Sequence, residues 1–321
     1  MSATRSGDQR PRAAEISVAI STRDRPRALA RCLESLRGGR VLPAEVVVAD
    51  QSSGVEARSA VAAADSRELP IRLVAGGTNG LAEAQNLAFR HTTQPVVAVI
   101  DDDCVADPEW ILVLEQVFSR DRVIALIGGS VLPLGHEQPG RYAVASRLSA
   151  TRQSFIGKAA PWHVGSGNNF AVRRDWFERV GGCDERLGPG TPGQGGLDMD
   201  LFYRVLRAGG RALYEPDAIV YHERATRHGR LARRRPYGHG IGVLCTLRLR
   251  EGDSYGARLL AEWLILRARI VAGALIRKRW VAVHEEGLVL AGTAAGILHA
   301  IRAARIDRDG SLASHRTTRS R

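Results

Sequence analysis

The 321-residue chain reads as an α/β fold, a mostly parallel sheet with helices on both faces and a helical extension behind it. Three observations predict this. Short apolar runs rich in β-branched residues alternate with amphipathic stretches through the first hundred residues. Acidic residues stand where two of those runs stop, Asp50 and Asp101-Asp102-Asp103, and in open α/β sheets ligands gather beyond the carboxyl ends of strands. The excess basic charge is confined to the last third: residues 1–223 hold 26 Lys+Arg against 27 Asp+Glu, residues 224–321 hold 20 against 7.

Met1 to Ala14 is polar, lacks the apolar core of a signal peptide and is expected to be a disordered leader. Ile16–Ile20 predicts a first strand, and Pro26 to Arg37 a helix with Leu29, Cys32, Leu33 and Leu36 on one face. Glu45–Ala49 predicts a second strand ending in Asp50, Gly54–Ala64 a polar helix, and Ile71–Ala75 a third strand. Gly76-Gly77-Thr78-Asn79-Gly80 breaks the chain before a helix with Leu81, Ala84, Leu87 and Ala88 at helical spacing. Val96–Ile100 is unbroken apolar sequence, as a strand buried on both faces requires. This βαβαβαβ order argues for a parallel sheet. Ser21-Thr22-Arg23-Asp24-Arg25 after the first strand, in place of Gly-x-Gly-x-x-Gly, excludes the Rossmann manner of holding phosphates.

A helix is expected over Asp107–Ser119, then strands at Val123–Val131 and Phe170–Val172 and a helix near Arg174–Val180. Gly181 to Gly196, sixteen residues with seven glycines, is too long and mobile for a mere connection and predicts a binding loop. A helix beginning around Leu197-Asp198-Met199-Asp200 and ending at Gly209-Gly210 follows, and a strand pair, Ala212–Tyr214 and Ala218–Tyr221, brings in His222.

The aspartate triplet concentrates like charge beside an apolar strand, which costs free energy unless cations neutralise it. Hard divalent ions use one or two carboxylates and take their remaining ligands from water and phosphate oxygens. The triplet therefore predicts a metal site holding a phosphorylated ligand; the competing reading is a solvated acidic turn before a helix capped by Asp107, with Pro108 at its first position. The four scattered cysteines contain no Cys-x-x-Cys pair and read as reduced thiols.

Taken together, Ile16-Ser17-Val18-Ala19-Ile20, Asp50, Gly80-Leu81-Ala82-Glu83-Ala84-Gln85-Asn86, Asp101-Asp102-Asp103, Phe170 to Arg174, Gly181 to Glu185, Asp198-Met199-Asp200-Leu201 and Tyr221-His222 resemble the family-two glycosyltransferases, in order and spacing over residues 15–223. The resemblance implies a GT-A catalytic domain there, a nucleoside-diphosphate-sugar donor, Mn2+ or Mg2+, and inversion by single displacement. It assigns donor contacts to Thr22, Arg23, Asp50, Asn86, Asp101 and Asp102, and metal ligation to Asp103, Asp101 and His222. It makes Asp198 the base that takes the acceptor proton, with Asp200 orienting or capping. The family's Ala-Arg-Asn reads Ala84-Gln85-Asn86 here, and the Glu that commonly precedes the catalytic aspartate is Leu197.

Residues 224–321 are expected to form a basic, mainly helical region. Six arginines between Arg224 and Arg235 are read as a loop that clamps the diphosphate or is simply solvated. Arg279-Trp280 without the Gln-x-x-Arg-Trp of processive relatives argues for a non-processive enzyme. Gly287–Ile301 is 15 residues, short of the ~20 needed to span a bilayer. Arginines and aromatics beside apolar stripes in Leu259–Trp280 suit a helix lying on an anionic membrane surface, with packing on the catalytic domain or in a homo-oligomer as the competing expectation. The expected enzyme is cytoplasmic and serves cell-envelope glycan biosynthesis, peripheral on the inner membrane face if the C-terminal helices bind lipid and not if they pack on the catalytic domain or in a homo-oligomer. It would transfer a hexosyl or deoxyhexosyl unit to a glycan, lipid-linked or small-molecule acceptor. The rival readings are a catalytically silent sugar-nucleotide-binding homologue and, from another class, a nucleic-acid-binding protein. The second is disfavoured by the net acidity of residues 1–223 and by the lack of an aromatic-basic recognition motif.

Overall fold

The computed structural model describes residues 12–77, 80–144 and 147–317, with side chains described as far as residue 303. Residues 1–11 of the expected leader lie outside the described residues, and Ala13 and Ala14 already belong to the first strand. The predicted alternation is present as β1 (Ala13–Thr22), α1 (Pro26–Arg37), β2 (Leu42–Asp50), α2 (Glu56–Ala64), β3 (Ile71–Ala75), α3 (Leu81–His91) and β4 (Val96–Ile100). β1 runs parallel to both β2 and β4, and β2 parallel to β3.

Four short strands among the described residues escaped the sequence reading, and one of them shapes the site. β5 (Cys104–Ala106) leaves the aspartate triplet directly and precedes α4 (Trp110–Arg120) and β6 (Ile124–Pro133). Two short strands, β7 (Arg141–Tyr142) and β8 (Gln153–Phe155), come before β9 (Asn169–Arg173), α5 (Arg174–Arg179) and α6 (Leu197–Arg207). The expected closing strand pair is one twelve-residue strand, β10 (Arg211–His222), whose register against β6 shifts between Glu215 and Ile219. The main sheet has the order β3-β2-β1-β4-β9-β6-β10-β5, with β9 antiparallel to its neighbours. β5 pairs antiparallel with β10 and sets His222 opposite Cys104, and so brings the histidine to the end of β4.

The strands are buried on both faces, so alternate residues serve different cores. Val18, Ile20, Val46, Val48, Ala98 and Ile100 pack with α1, α2 and α4. Ala19, Val47, Ala49, Val97 and Val99 pack with α3, α5 and α6. Asn169 ties the two halves of the sheet together. Its Nδ2 donates to the carbonyls of Ser130 and Ala218 (both 2.8 Å), and its Oδ1 accepts the Trp110 indole N–H at 2.9 Å.

After the two-residue strand β11 (Ala225–Thr226), which pairs with β7, come α7 (Arg227–Arg250), α8 (Tyr255–Ile276) and α9 (Trp280–Thr317). The arginine-rich segment expected as a loop is therefore the start of a helix, capped where the Thr226 hydroxyl accepts the Gly229 N–H, and Pro236 is accommodated inside it. α7 and α9 cross closely because glycines face backbone at the crossing. A Cβ at Gly242 would sit 2.2 Å from the Thr293 carbonyl oxygen, and one at Gly296 2.1 Å from that of His239. The apolar stretch expected to be too short to span a bilayer is longer than its sequence suggested. α9 runs unbroken from Trp280, and Trp280–Ala303, 24 residues, is long and apolar enough by length and composition alone. Glu285 and Glu286, inside this helix, are ion-paired to neighbouring helices, Glu285 to Arg230 and Arg234 and Glu286 to Arg267.

Replacing Asn169 by Ala leaves two buried carbonyls and one indole N–H without partners, so stability should fall by about 2–4 kcal/mol, read as a lower urea midpoint with an unchanged slope.

Candidate active site

A cavity of about 960 Å³ opens beyond the carboxyl ends of β1, β2 and β4. Its walls are Thr22, Arg23 and Arg25 after β1, the aspartate triplet after β4, the turn Ser166-Gly167-Asn168, and part of the glycine-rich loop (Pro189, Gly190, Gln194 to Gly196). Asp198 at the start of α6, His222, and Arg233, Pro236 and Tyr237 of α7 complete it. The glycine-rich loop is a wall, as expected, but it is closely held: Gly188 and Gly193 N–H donate to the carbonyls of Gly195 and Arg186, and Gly195 and Gly196 abut Gly240 of α7 with no room for a Cβ.

The charge at the end of β4 decides what the cavity attracts. His222 Nδ1 lies 2.7 Å from the Glu223 backbone carbonyl, which can only accept, so Nδ1 carries the proton. Burial lowers the pKa of His222 despite the pull of Asp103, which keeps the ring neutral and leaves Nε2 with a lone pair. That lone pair faces Asp103 Oδ1 at 3.4 Å, and Oδ1 is buried with no hydrogen-bond partner. Two acceptors facing each other without a proton between them are repulsive, and a cation resolves the conflict. Cys104 completes a buried cluster in which one donor atom from each of Asp103, Cys104 and His222 lies within 4.8 Å of the others. Burial and the neighbouring carboxylates push the Cys104 thiol strongly up, so it stays protonated, and the effective donors are oxygen and imidazole nitrogen. That set fits Mn2+ or Mg2+ better than a thiolate-seeking ion.

Asp101 lines the cavity but lies outside that cluster. Burial, then the charges of Asp103, Asp102 and Asp198, push its carboxyl up to about 8. Asp102 is buried, accepts the Thr22 hydroxyl at 2.7 Å, and shares the Arg25 guanidinium (3.2 Å) with Asp103 (3.1 Å). A second cation, Arg233 of α7, reaches within 4.0 Å of Asp103. Of the six arginines singled out in sequence, it alone among the described residues lines this cavity. Arg230 and Arg234 are held by Glu285, and Arg224 donates to the carbonyls of Leu134 and Gly135.

Asp198, Asp200 and Asp184 look interchangeable in sequence and are not so in space. Asp198 lines the cavity, and its Oδ2 accepts the Gly167 N–H at 2.6 Å. Burial raises its pKa although the Gly167 and Met199 N–H groups work against it. Asp200 is fully buried between Arg204 (2.7 Å) and Arg248 of α7 (3.0 Å). Asp184 is paired with Arg186 and Arg248 and lies low, at about 2. Neither forms part of the cavity wall.

Two expected donor contacts lie elsewhere. Asp50 caps a turn by accepting the Ser52 N–H at 2.9 Å, and the neighbouring Gln51 lines the cavity in its stead. Asn86 exchanges hydrogen bonds with the backbone of Cys183, Oδ1 accepting its N–H (2.8 Å) and Nδ2 donating to its carbonyl (3.0 Å), so it fastens the glycine-rich loop to α3. The cavity instead receives Gln85. Thr22 and Arg23 are both in the wall, Thr22 with its hydroxyl engaged by Asp102 and Arg23 exposed. Sequence reasoning missed Arg25, Cys104, Tyr237 and Arg248; only Arg25, within the segment after β1, carried a local signal.

Residues 17–181 match the family model described as glycosyl transferase family 2. The pre-mycofactocin glycosyltransferase of Mycobacterium tuberculosis (strain ATCC 25618 / H37Rv) is 29% identical over 273 residues, covering 78% of this chain and 52% of that protein. The glucosyl-dolichyl phosphate glucuronosyltransferase of Haloferax volcanii is 27% identical over 149 residues, 41% of this chain and 44% of that one. The chain thus spans about half the length of these curated relatives. Among solved structures, a mannosyltransferase from Pyrobaculum calidifontis in complex with GDP-Man and Mn2+ superposes with a TM-score of 0.61 at 16% identity, covering 92% of this chain and 91% of that one. Residues 1–349 of S. aureus TarS in complex with UDP-GlcNAc give 0.58 at 12% identity, covering 92% of each chain. At these identities the structures establish a shared GT-A fold.

Should a cation bind at Asp103 and His222, the raised Asp101 carboxyl would make that binding proton-linked. Below about 8 the metal-free protein holds a proton there that a bound cation displaces, so Mn2+ affinity should climb with pH towards 8 and level above it. Calorimetry at neutral pH in two buffers of different ionisation enthalpy should report release of close to one proton, and less at pH 9. The sign for stability is the opposite. Because the folded state keeps a proton that the unfolded chain has lost, metal-free stability should fall as pH rises from the ordinary carboxylate range through 8.

Proposed function

The chain belongs to glycosyl transferase family 2, and from that premise we propose that it moves a sugar from a nucleoside-diphosphate donor to an acceptor hydroxyl, with a divalent cation and with inversion at the anomeric carbon. The observation that carries this reading is the facing pair of acceptors, Asp103 Oδ1 and His222 Nε2, in the same cavity as the buried carboxylate of Asp198. GDP-Man with Mn2+ and UDP-GlcNAc in the structural neighbours support the donor class and the cation.

Asp103 and His222 would hold the cation, which when bound neutralises charge on the departing diphosphate. Arg25 and Arg233, both beside Asp103, are placed to take a phosphate oxygen each and to stabilise the same developing charge. Asp198 accepts the acceptor hydroxyl proton, the hydroxyl oxygen forms its bond to the anomeric carbon, and the carbon–oxygen bond to the diphosphate breaks with its electron pair on the leaving group. Inversion is supported by the carboxylate inventory of the wall. Among the described residues only Asp198 and the triplet line it, Asp102 is engaged by Thr22 and Arg25, and Asp103 belongs to the cation. Asp101, its carboxyl pushed up to about 8, is the one other carboxylate in the wall, and a covalent glycosyl intermediate on it is the course that the product's anomeric configuration tests. The raised pKa of Asp198 makes it a stronger base than an exposed aspartate, provided the working pH keeps it ionised.

Asp198→Asn should cut transfer by roughly 10²–10⁴ while donor affinity stays within a few-fold, because a base acts in the transition state. Near-normal transfer by this variant would place the base elsewhere. Asp103→Asn should weaken UDP or GDP binding only when Mn2+ is present, as measured by titration calorimetry with and without metal. Equal losses in both conditions would make Asp103 structural. A product with the donor's anomeric configuration, read from its NMR coupling, would overturn the single displacement.

A further inference from the structure

We propose that the tip of the α8–α9 hairpin is a docking surface for an anionic lipid bilayer. The tip is Leu275 to Val281, and every one of its residues is exposed; Ile276 is 82% exposed, Trp280 66% and Val281 61%. Between these apolar side chains stand Arg277, Lys278 and Arg279. Behind the tip, the outward face of α8 continues apolar through Ala261, Leu264, Ile265, Ala268 and Ala272, at the spacing of a single helix face. A face of Leu and Ile turned to solvent has no role in packing this chain.

Charge identifies the occupant. From Trp263 to His284 the sequence contains no acidic residue. Among the described residues no carboxylate pairs with Arg269, Arg277, Lys278 or Arg279, whereas the inward Arg267 is matched by Glu286 at 3.2 Å and Arg230 by Glu285 at 2.8 Å. The hairpin is sorted into a neutralised inner side and an uncompensated cationic, apolar outer side. A second copy docked tip to tip would set the same three cations against themselves, as an isologous interface places identical patches together. A polyanion would take the cations and gain nothing from Ile276 or Val281. An anionic bilayer uses both: acyl chains receive the apolar side chains, phosphates receive the guanidinium and ammonium groups, and an indole settles at the boundary.

The tip also lies near the cavity. Glu285, five residues into α9 from Trp280 and so about 7–8 Å along its axis, pairs with Arg230 and Arg234, and their neighbour Arg233 lines the cavity beside Asp103. Docking at the tip would hold the cavity close to the bilayer, within reach of an acceptor carried at its surface; this last clause rests on the function proposed above, and the docking itself does not.

The test is co-sedimentation of the full chain with vesicles of equal parts phosphatidylglycerol and phosphatidylcholine, against phosphatidylcholine alone. The intact chain should sediment with the anionic vesicles, release towards about 0.5 M salt, and show a blue shift of Trp emission that Trp280→Phe removes. Reversing Arg277, Lys278 and Arg279 to Glu should weaken binding by about a hundredfold or more, and Ile276→Ser with Trp280→Ser should also abolish sedimentation. All five positions are exposed, so circular dichroism should be unchanged. UDP and GDP binding should be unchanged as well, which separates failure of docking from failure of the donor reading. An intact chain that stays in the supernatant with anionic vesicles at low salt would sink the proposal. So would full binding by the Ser double variant, which would mean a polyanion-type attraction, and so would vesicle-independent dimerisation that both variants abolish, which would mean a second copy.

Discussion

The architecture depends on holding a surplus of negative charge at one point, the end of β4. Three consecutive carboxylates on a fully buried strand repel one another in a region where water screens poorly, and the surrounding elements are arranged around that repulsion. The first βα turn contributes Arg25 and the Thr22 hydroxyl, β10 contributes a neutral imidazole, and α7 contributes Arg233. Protein groups satisfy Asp102, whereas Asp103 Oδ1 and His222 Nε2 are left facing each other. The balance is thus incomplete at Asp103 and His222, as the proposed cation and phosphorylated donor would require.

The C-terminal helices are part of this balance as well as a wall of the cavity. Arg248 reaches from α7 to Asp184, Asp200 and Glu251, and with Arg204 it holds Asp200 and Asp184 outside the cavity wall. One carboxylate at the start of α6, Asp198, remains directed at the cavity. Glycine contacts set the spacing: Gly195 and Gly196 against Gly240 seat the glycine-rich loop on α7, and Gly242 and Gly296 seat α7 on α9. A buried ion pair adds little net stability, but removing one partner leaves a charge stranded. The arginines of α7 therefore fix which acid is free more than they hold the fold together.

The same sorting explains the strong basicity of the last third. Arginines that face the catalytic domain or the neighbouring helices are matched by Asp184, Asp200, Glu285 and Glu286. Those at the α8–α9 turn have no such partner among the described residues and share their surface with Ile276 and Trp280. A net charge counted over the whole segment averages two populations that do different things.

Much of this was legible in the sequence. Unbroken apolar runs and helical spacing determine β1 to β4 and α1 to α3, because burial on both sheet faces leaves few other residues that fit. The acid cluster after β4 and the glycine-rich wall were likewise legible, since each is a local concentration of one chemistry; His222, a lone histidine, was reached only through the family resemblance. The tertiary structure decided what depends on separation in space. That β5 turns back to set Cys104 opposite His222, that Asn86 hydrogen-bonds to the glycine-rich loop while Gln85 lines the cavity, and that Arg248 claims Asp200 but leaves Asp198, all follow from contacts between residues tens of positions apart. Residue type sets what a side chain can do; which partner reaches it first, and whether water can, is fixed only when the chain has closed around it.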